Sequence, residues 1–309
     1  LQPSPSGPTM IAKPAIDRRR GLAITSVGVL AYTPDSLLIR LAAVESFTYA
    51  FLRGLIVSGV LLLRLARRRR GSGRPLLAGL GRAGFCAALM NGVGGLLFIY
   101  AFAYTSVANI LVYIAAQPMM TGVLAWITLG ERIARTTLFS MLGTAIGIGI
   151  VAEASLGTPS LIGDGAALAA TIVSAGYYVI LRRQAASDML PAVAMSGLLS
   201  ASIAVVLLWV TDVGWAGFAA LGWENLAWTV GNCVLLIPFA MAMTAAGARY
   251  LPAAEVALLV LLEVVLGPLW VWWALGEEPP RATLIGGALI LASVAAHALM
   301  TLRRSPSKA

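Results

Sequence analysis

Six residues of this 309-residue chain carry ligand-binding groups where such groups are costly: Asn91, Tyr113, Gln117, Tyr178, Glu263 and Trp270. Glu263 is the sharpest case, lying in the apolar run LLVLLEVVLGPLWVWW. A carboxylate facing hydrocarbon at the centre of a helix costs ~2.5–3.5 kcal/mol or more. Glu263 must therefore face a cavity or a partner, or hold a proton. In a cavity it can bind an ammonium group, and between helices it can act as hydrogen-bonding glue; both readings stay open. Gln117 occupies the centre of another apolar run, and Asn91 stands beside Gly92, Gly94 and Gly95. Tyr113 precedes Gln117 by one helical turn and Trp270 follows Glu263 by two, so each pair shares a face. Tyr177 and Tyr178 sit midway along a further run. Rings on a cavity face can stack on a planar substrate, with ordinary packing the competing reading for any one of them. Asn232, six residues before Pro238, reads as a packing and kink position.

The elements that must position these groups follow from composition. The chain is 59% apolar and only 11% charged, against ~25% charged in soluble domains. Runs of this length and polarity suit a bilayer, where each crossing takes ~20 apolar residues. The pattern predicts an all-α integral membrane protein with ten transmembrane helices, over 21–43, 46–66, 76–102, 105–129, 136–153, 161–182, 190–211, 225–248, 251–274 and 282–301. Residues 1–20, rich in Pro and Ser near their start, read as a disordered cytoplasmic tail, and 302–309 as a second tail. No cleavable signal peptide is expected, because the basic cluster Arg18–Arg20 leads into a helix of the repeated unit described below. Trp215 and Trp223, in the longest loop, suit an interfacial aromatic belt.

The net charge of +9 does not indicate nucleic acid, because the basic residues flank the apolar runs. With the N-terminus in the cytoplasm, all but Arg40, Arg53 and Arg281 of the 22 Lys and Arg fall on or near the cytoplasmic side. This asymmetry places both termini inside and predicts an inner (plasma) membrane protein in contact with anionic lipid. Cys86 and Cys233 lie in apolar runs, and His297 is the only histidine. They imply neither a disulfide framework nor a metal site, and His297 reads as a packed or lipid-edge residue. There is no G-x-x-x-x-G-K-[ST], no H-E-x-x-H and no serine–histidine constellation, so neither an ATP motor, an enzyme nor a cofactor is expected.

Displaced by 146 residues, the chain matches itself. The segment from Tyr104 to Leu138 falls without a gap on Tyr250 to Leu284, aligning Trp126 with Trp272, Gly130 with Gly276, Glu131 with Glu277 and Arg135 with Arg281. Gln117 aligns with Glu263. Five helices per half invert the second copy, giving two inverted five-helix repeats over 21–156 and 157–301. Inverted repeats are typical of alternating-access transporters, with substrate held near the midplane at the repeat interface. Gly143 and Gly147 form a G-x-x-x-G that suits either a dimer seam or packing within one chain.

At these residues the chain resembles the drug/metabolite transporter superfamily, in particular its ten-helix EamA-type exporters. The resemblance rests on a Pro-containing helix ending in L-G-E-R (Pro118 to Arg132), its second copy ending in L-G-E-E, and F-L-R-G at Phe51 to Gly54. Helix one departs from it, reading GVLAYTPDSLLIRL where such proteins often carry Trp-Gly. The resemblance implies a secondary transporter exporting small metabolites, with amino acids a common class. The supply of Tyr and Trp favours neutral or aromatic ones. Phosphorylated substrates are disfavoured, since Arg53 is the only well-embedded cation. A monomer or weak dimer is expected. The alternative is a non-transporting membrane scaffold or regulator, which has no need of Gln117 and Glu263 at mid-depth.

Overall fold

The structure, a computed structural model, describes residues 17–71, 75–77, 80–105, 107–153, 160–210, 216–276, 278 and 280–304. The expected repeat junction at 156–157, Trp215 and most of both tails lie outside the described residues. Among the described residues, ten helices are long and apolar enough to cross a membrane: Arg18–Ala42, Ser46–Arg69, Gly81–Ala101, Val112–Leu129, Arg135–Glu153, Leu161–Arg183, Leu190–Val210, Trp223–Gly247, Ala253–Leu275 and Arg281–Thr301. They are called the first to tenth spans. The first begins inside the segment expected as a tail, because Asp17 caps it by accepting the Arg20 amide at 3.2 Å. The last helix likewise runs on to Arg304, into the second expected tail.

Three spans are not the uniform helices that hydropathy suggests. The first breaks after Tyr32 and restarts at Asp35. Pro34 lacks the amide that would bond the Leu30 carbonyl, and the Thr33 hydroxyl donates to that carbonyl instead, at 2.9 Å. The eighth widens into a π-turn over Asn232–Leu236, with the Ile237 amide reaching back to the Asn232 carbonyl. Such bulges frequently mark functional sites. The ninth divides at Leu261 into Ala253–Val260 and Leu262–Leu275.

The L-G-E motif has a backbone cause. Gly130 and Gly276 have φ of 66° and 70°, the left-handed region open to glycine. Each ends its helix by returning its amide to Trp126 or Trp272 at 3.0 and 2.9 Å.

Packing follows the inverted duplication. The second span packs on the seventh and the fifth on the tenth, each on its own repeat mate. The third packs on the sixth as the eighth packs on the first, and the fourth on the sixth as the ninth on the first. Small residues allow the close approaches. A Cβ on Gly54 would stand 2.5 Å from the Gly197 carbonyl oxygen, and one on Gly147 2.7 Å from that of Gly286. The Gly143/Gly147 seam is thus occupied within the chain, by the tenth span. Outward faces are apolar, with Phe139, Ile127 and Leu235 each about 70% exposed. Trp209, Trp223 and Trp273 are more exposed still and gather at the end poor in arginine, as an interfacial belt does.

Candidate functional site

The break in the first span turns Asp35 into the bundle, where it is 4% exposed. Its Oδ2 accepts from Arg53 Nη1 of the second span at 2.9 Å, and its Oδ1 from Asn232 Nδ2 of the eighth at 2.6 Å. Asn232 Nδ2 also donates to the Tyr49 hydroxyl at 2.8 Å. Arg53 Nη2 donates to the Tyr32 hydroxyl at the end of the first helical segment. The backbone irregularities explain why these groups meet: Pro34 reorients Asp35, and the π-turn begins at Asn232. Three spans thus hold one ion pair inside the bundle. Opposite charges and charge-assisted hydrogen bonds offset the desolvation that an isolated ion would suffer there.

Asp35 takes only Nη1 of Arg53, and Nη2 goes to the Tyr32 hydroxyl, so the guanidinium is not used up by Asp35. Glu263 feels the charges of Asp35 and Arg53, and Tyr178 that of Glu263. Glu263 therefore has a counter-charge within electrostatic reach, which sequence alone could not supply. Trp270 closes this side of the group. Its indole N–H donates to Thr33 Oγ1 at 2.9 Å, tying the ninth span to the break in the first, and its ring meets Trp273 edge to face, with centroids 5.9 Å apart.

Of the six predicted residues, Glu263 lies within electrostatic reach of the Asp35–Arg53 pair, Trp270 bonds Thr33 two residues before Asp35, and Tyr178 is linked only through Glu263. Gln117 is buried in the fourth span, and the Thr121 hydroxyl donates to its carbonyl. Tyr113 packs in a separate apolar cluster with Ile110, Ala166 and Ala167. Asn91 donates to Ser196 Oγ at 2.8 Å, joining the third span to the seventh, which is the glue role. Tyr32, Asp35, Arg53 and Asn232 were absent from the predicted set. Arg53 was legible as the one embedded cation, and Pro34 beside Asp35 signalled the break.

The arginine-rich end is sealed. Ala253 to Leu259 of the ninth span are all buried, whereas Val265 and Gly267 alone are buried in Leu262–Leu275. Arg182, 1% exposed, binds Glu131 Oε1 at 2.7 Å and the Arg249 carbonyl at 2.8 Å. Arg249 in turn donates to the carbonyls of Ala185 and Ser187. The Glu of the first L-G-E motif thereby locks the fourth span to the sixth.

Ten apolar spans in two inverted halves, with a charged cluster between the first, second, eighth and ninth, define a polytopic membrane protein of transporter type. The EamA-like transporter family model matches residues 21–152 and 161–298, one copy per half, and the chain belongs to that family. A solved structure described only as "Crystal structure of protein" is similar in fold, with a TM-score of 0.77 at 19% identity, covering 94% of this chain and 100% of that one. No curated protein matches.

Proposed function

We propose that the protein is a secondary transporter of the inner membrane that exports neutral or aromatic amino acids by alternating access, with both termini cytoplasmic. The supporting observation is the Asp35–Arg53 pair inside the bundle, with Glu263 within electrostatic reach of both charges. Asp35 and Asn232 orient the guanidinium, whose remaining donors can take a carboxylate. Glu263 supplies the opposite charge for an ammonium group. The two recognise a zwitterion, and Trp270 and Tyr178 offer rings to its side chain. Tyr113, Gln117 and Asn91 remain candidate binding residues of the third and fourth spans, apart from the Asp35–Arg53 pair. The buried start of the ninth span and its more exposed outer half fit a state closed to the cytoplasm. Use of the G-x-x-x-G seam within the chain favours a monomer.

Counterflow of labelled phenylalanine in proteoliposomes tests this reading. The parent protein exchanges phenylalanine, Arg53→Met loses exchange, and Glu263→Gln keeps electrically silent counterflow with weakened affinity. Loss of pH-gradient-driven accumulation with intact exchange in Glu263→Gln would instead assign this carboxyl to proton coupling. No exchange of any amino acid in a labelled panel rejects the substrate class.

A further inference from the structure

The arginine-rich end contains a second polar cluster that substrate recognition leaves unused. Glu255, at the start of the ninth span, is 1% exposed and His297, in the tenth, is 0% exposed. His297 Nε2 stands 3.6 Å from Glu255 Oε2, and Arg18 Nη2 stands 3.5 Å from Glu255 Oε1. Glu255 Oε2 and both imidazole nitrogens lack a hydrogen-bond partner among the described residues. A separation of 3.6 Å is too long for a hydrogen bond. Three adjoining orphaned atoms are a costly arrangement that asks for a ligand or a function.

The cluster borders water. Glu255 and Arg18 line a small cavity of about 20 Å³, room for roughly one water, with Glu131, Arg132 and Thr137. Arg132 is exposed, so the cavity opens toward the aqueous end. Glu131 Oε2 and Thr137 Oγ1 are two further orphaned atoms among the lining residues. The charged groups facing Glu255 and its cavity are Arg18 from the first span, Glu131 and Arg132 from the end of the fourth, and His297 from the tenth. Arg182 of the sixth reaches it through Glu131. With two carboxylates against three arginines, a metal cation is poorly matched to the cavity. A single proton fits the one titratable pair left without a bond.

The repeat supplies a comparison. Displacement by 146 residues takes Arg18 to Asp164, Asn109 to Glu255 and Val151 to His297. At the opposite end of the bundle, Thr105 Oγ1 donates to Asp164 Oδ1 at 2.7 Å, and Asn109 Nδ2 donates to Thr105 Oγ1 at 3.0 Å. There an amide and a hydroxyl satisfy one carboxylate, and valine stands where the histidine would be. Equivalent places thus hold a bonded, non-switching cluster at one end and an unbonded histidine–glutamate pair at the other.

We propose that Glu255 and His297 form a proton-binding site that latches the arginine-rich end of the bundle shut. A proton from water binds an imidazole nitrogen, and the imidazolium N–H donates to Glu255 Oε2. The bond tightens as charge-assisted pairs do, to ~2.8 Å. The tenth span is thereby tied to the buried start of the ninth, through the carboxylate that Arg18 already holds to the first. Opening this end separates the pair and releases the proton. Proton binding and closure consequently favour one another to the same degree. Histidine suits the task because its ordinary range of charge change lies between pH 5 and 8.

Because His297 is the only histidine, selective ¹⁵N-histidine labelling gives one imidazole to observe in nanodiscs, without knowledge of the substrate. The expected spectra show the imidazole becoming cationic as the medium is acidified. In Glu255→Gln the cationic fraction at about pH 6 falls roughly threefold or more, since the stabilising carboxylate is gone. Hydrogen exchange of segment 252–260, corrected for the intrinsic pH dependence of exchange, reads the latch itself. Protection is several-fold greater at the acid end in the parent protein, and His297→Gln abolishes the difference. An imidazole that stays neutral throughout, or pH-independent protection of 252–260 in the parent protein, overturns the proposal. Neither readout involves phenylalanine, so failure here is distinct from failure of the substrate assignment.

Discussion

Removing one charge of the Asp35–Arg53 pair is the most informative perturbation. Side-chain exposure is 5% for Asp35 and 26% for Arg53, so the two single variants abandon charges in different settings. Taking one partner from a fully buried pair costs about 3–5 kcal/mol, because the survivor is left desolvated. Asp35→Asn leaves Arg53, the less buried of the two; about 2–3 kcal/mol is expected. Arg53→Met leaves the deeper Asp35 with only the Asn232 amide, for which about 3–4 kcal/mol is expected. The double variant leaves neither member of the pair behind and should be more stable than Arg53→Met alone. Unfolding free energies in mixed detergent micelles supply the cycle. If the double variant equals the sum of the singles within about 0.5 kcal/mol, the pair is not coupled and the assignment of Asp35 as the orienting partner of Arg53 fails.

Arg182→Met abandons Glu131 Oε1 and the Arg249 carbonyl; a loss of about 2–4 kcal/mol in the same assay is expected, and a loss under about 0.5 kcal/mol would show that the seal does not depend on it. Gly54→Val drives a side chain into the Gly197 carbonyl region; about 1–3 kcal/mol of overpacking should lower folded yield, whereas Gly59→Ala, at a position with nothing within 4 Å, should leave it unchanged. Trp270→Phe removes the bond to Thr33; about 0.5–1.5 kcal/mol is expected from stability measurements, with weakened phenylalanine affinity in counterflow. Reporter fusions at residue 309 and in the 212–224 loop should lie on opposite sides of the membrane; the same side for both would refute the orientation.

Much of this protein was legible before folding. Apolar runs of bilayer length, bounded by arginines, give ten helices because hydrocarbon leaves the backbone no other partner than itself. The ungapped match of Tyr104–Leu138 with Tyr250–Leu284 announced the duplication, and an odd helix count inverted it. The glycines of both L-G-E motifs carry their signal locally, since a left-handed helix end needs glycine whatever surrounds it.

The site itself was decided in three dimensions. Hydropathy treats Asp35 as a residue near the end of a helix. Pro34 and the hydroxyl of Thr33 instead break that helix, and the carboxylate enters the bundle. Nothing along the chain says that Arg53 finds a partner 18 residues before it or that Asn232 finds the same one 197 residues away. Nor does the sequence reveal that His297, apolar in its surroundings, ends beside Glu255. Depth in a membrane is set by position along one helix and can be read from sequence. Which polar groups meet at that depth depends on rotation and breaks of several helices at once, and only their packing decides that.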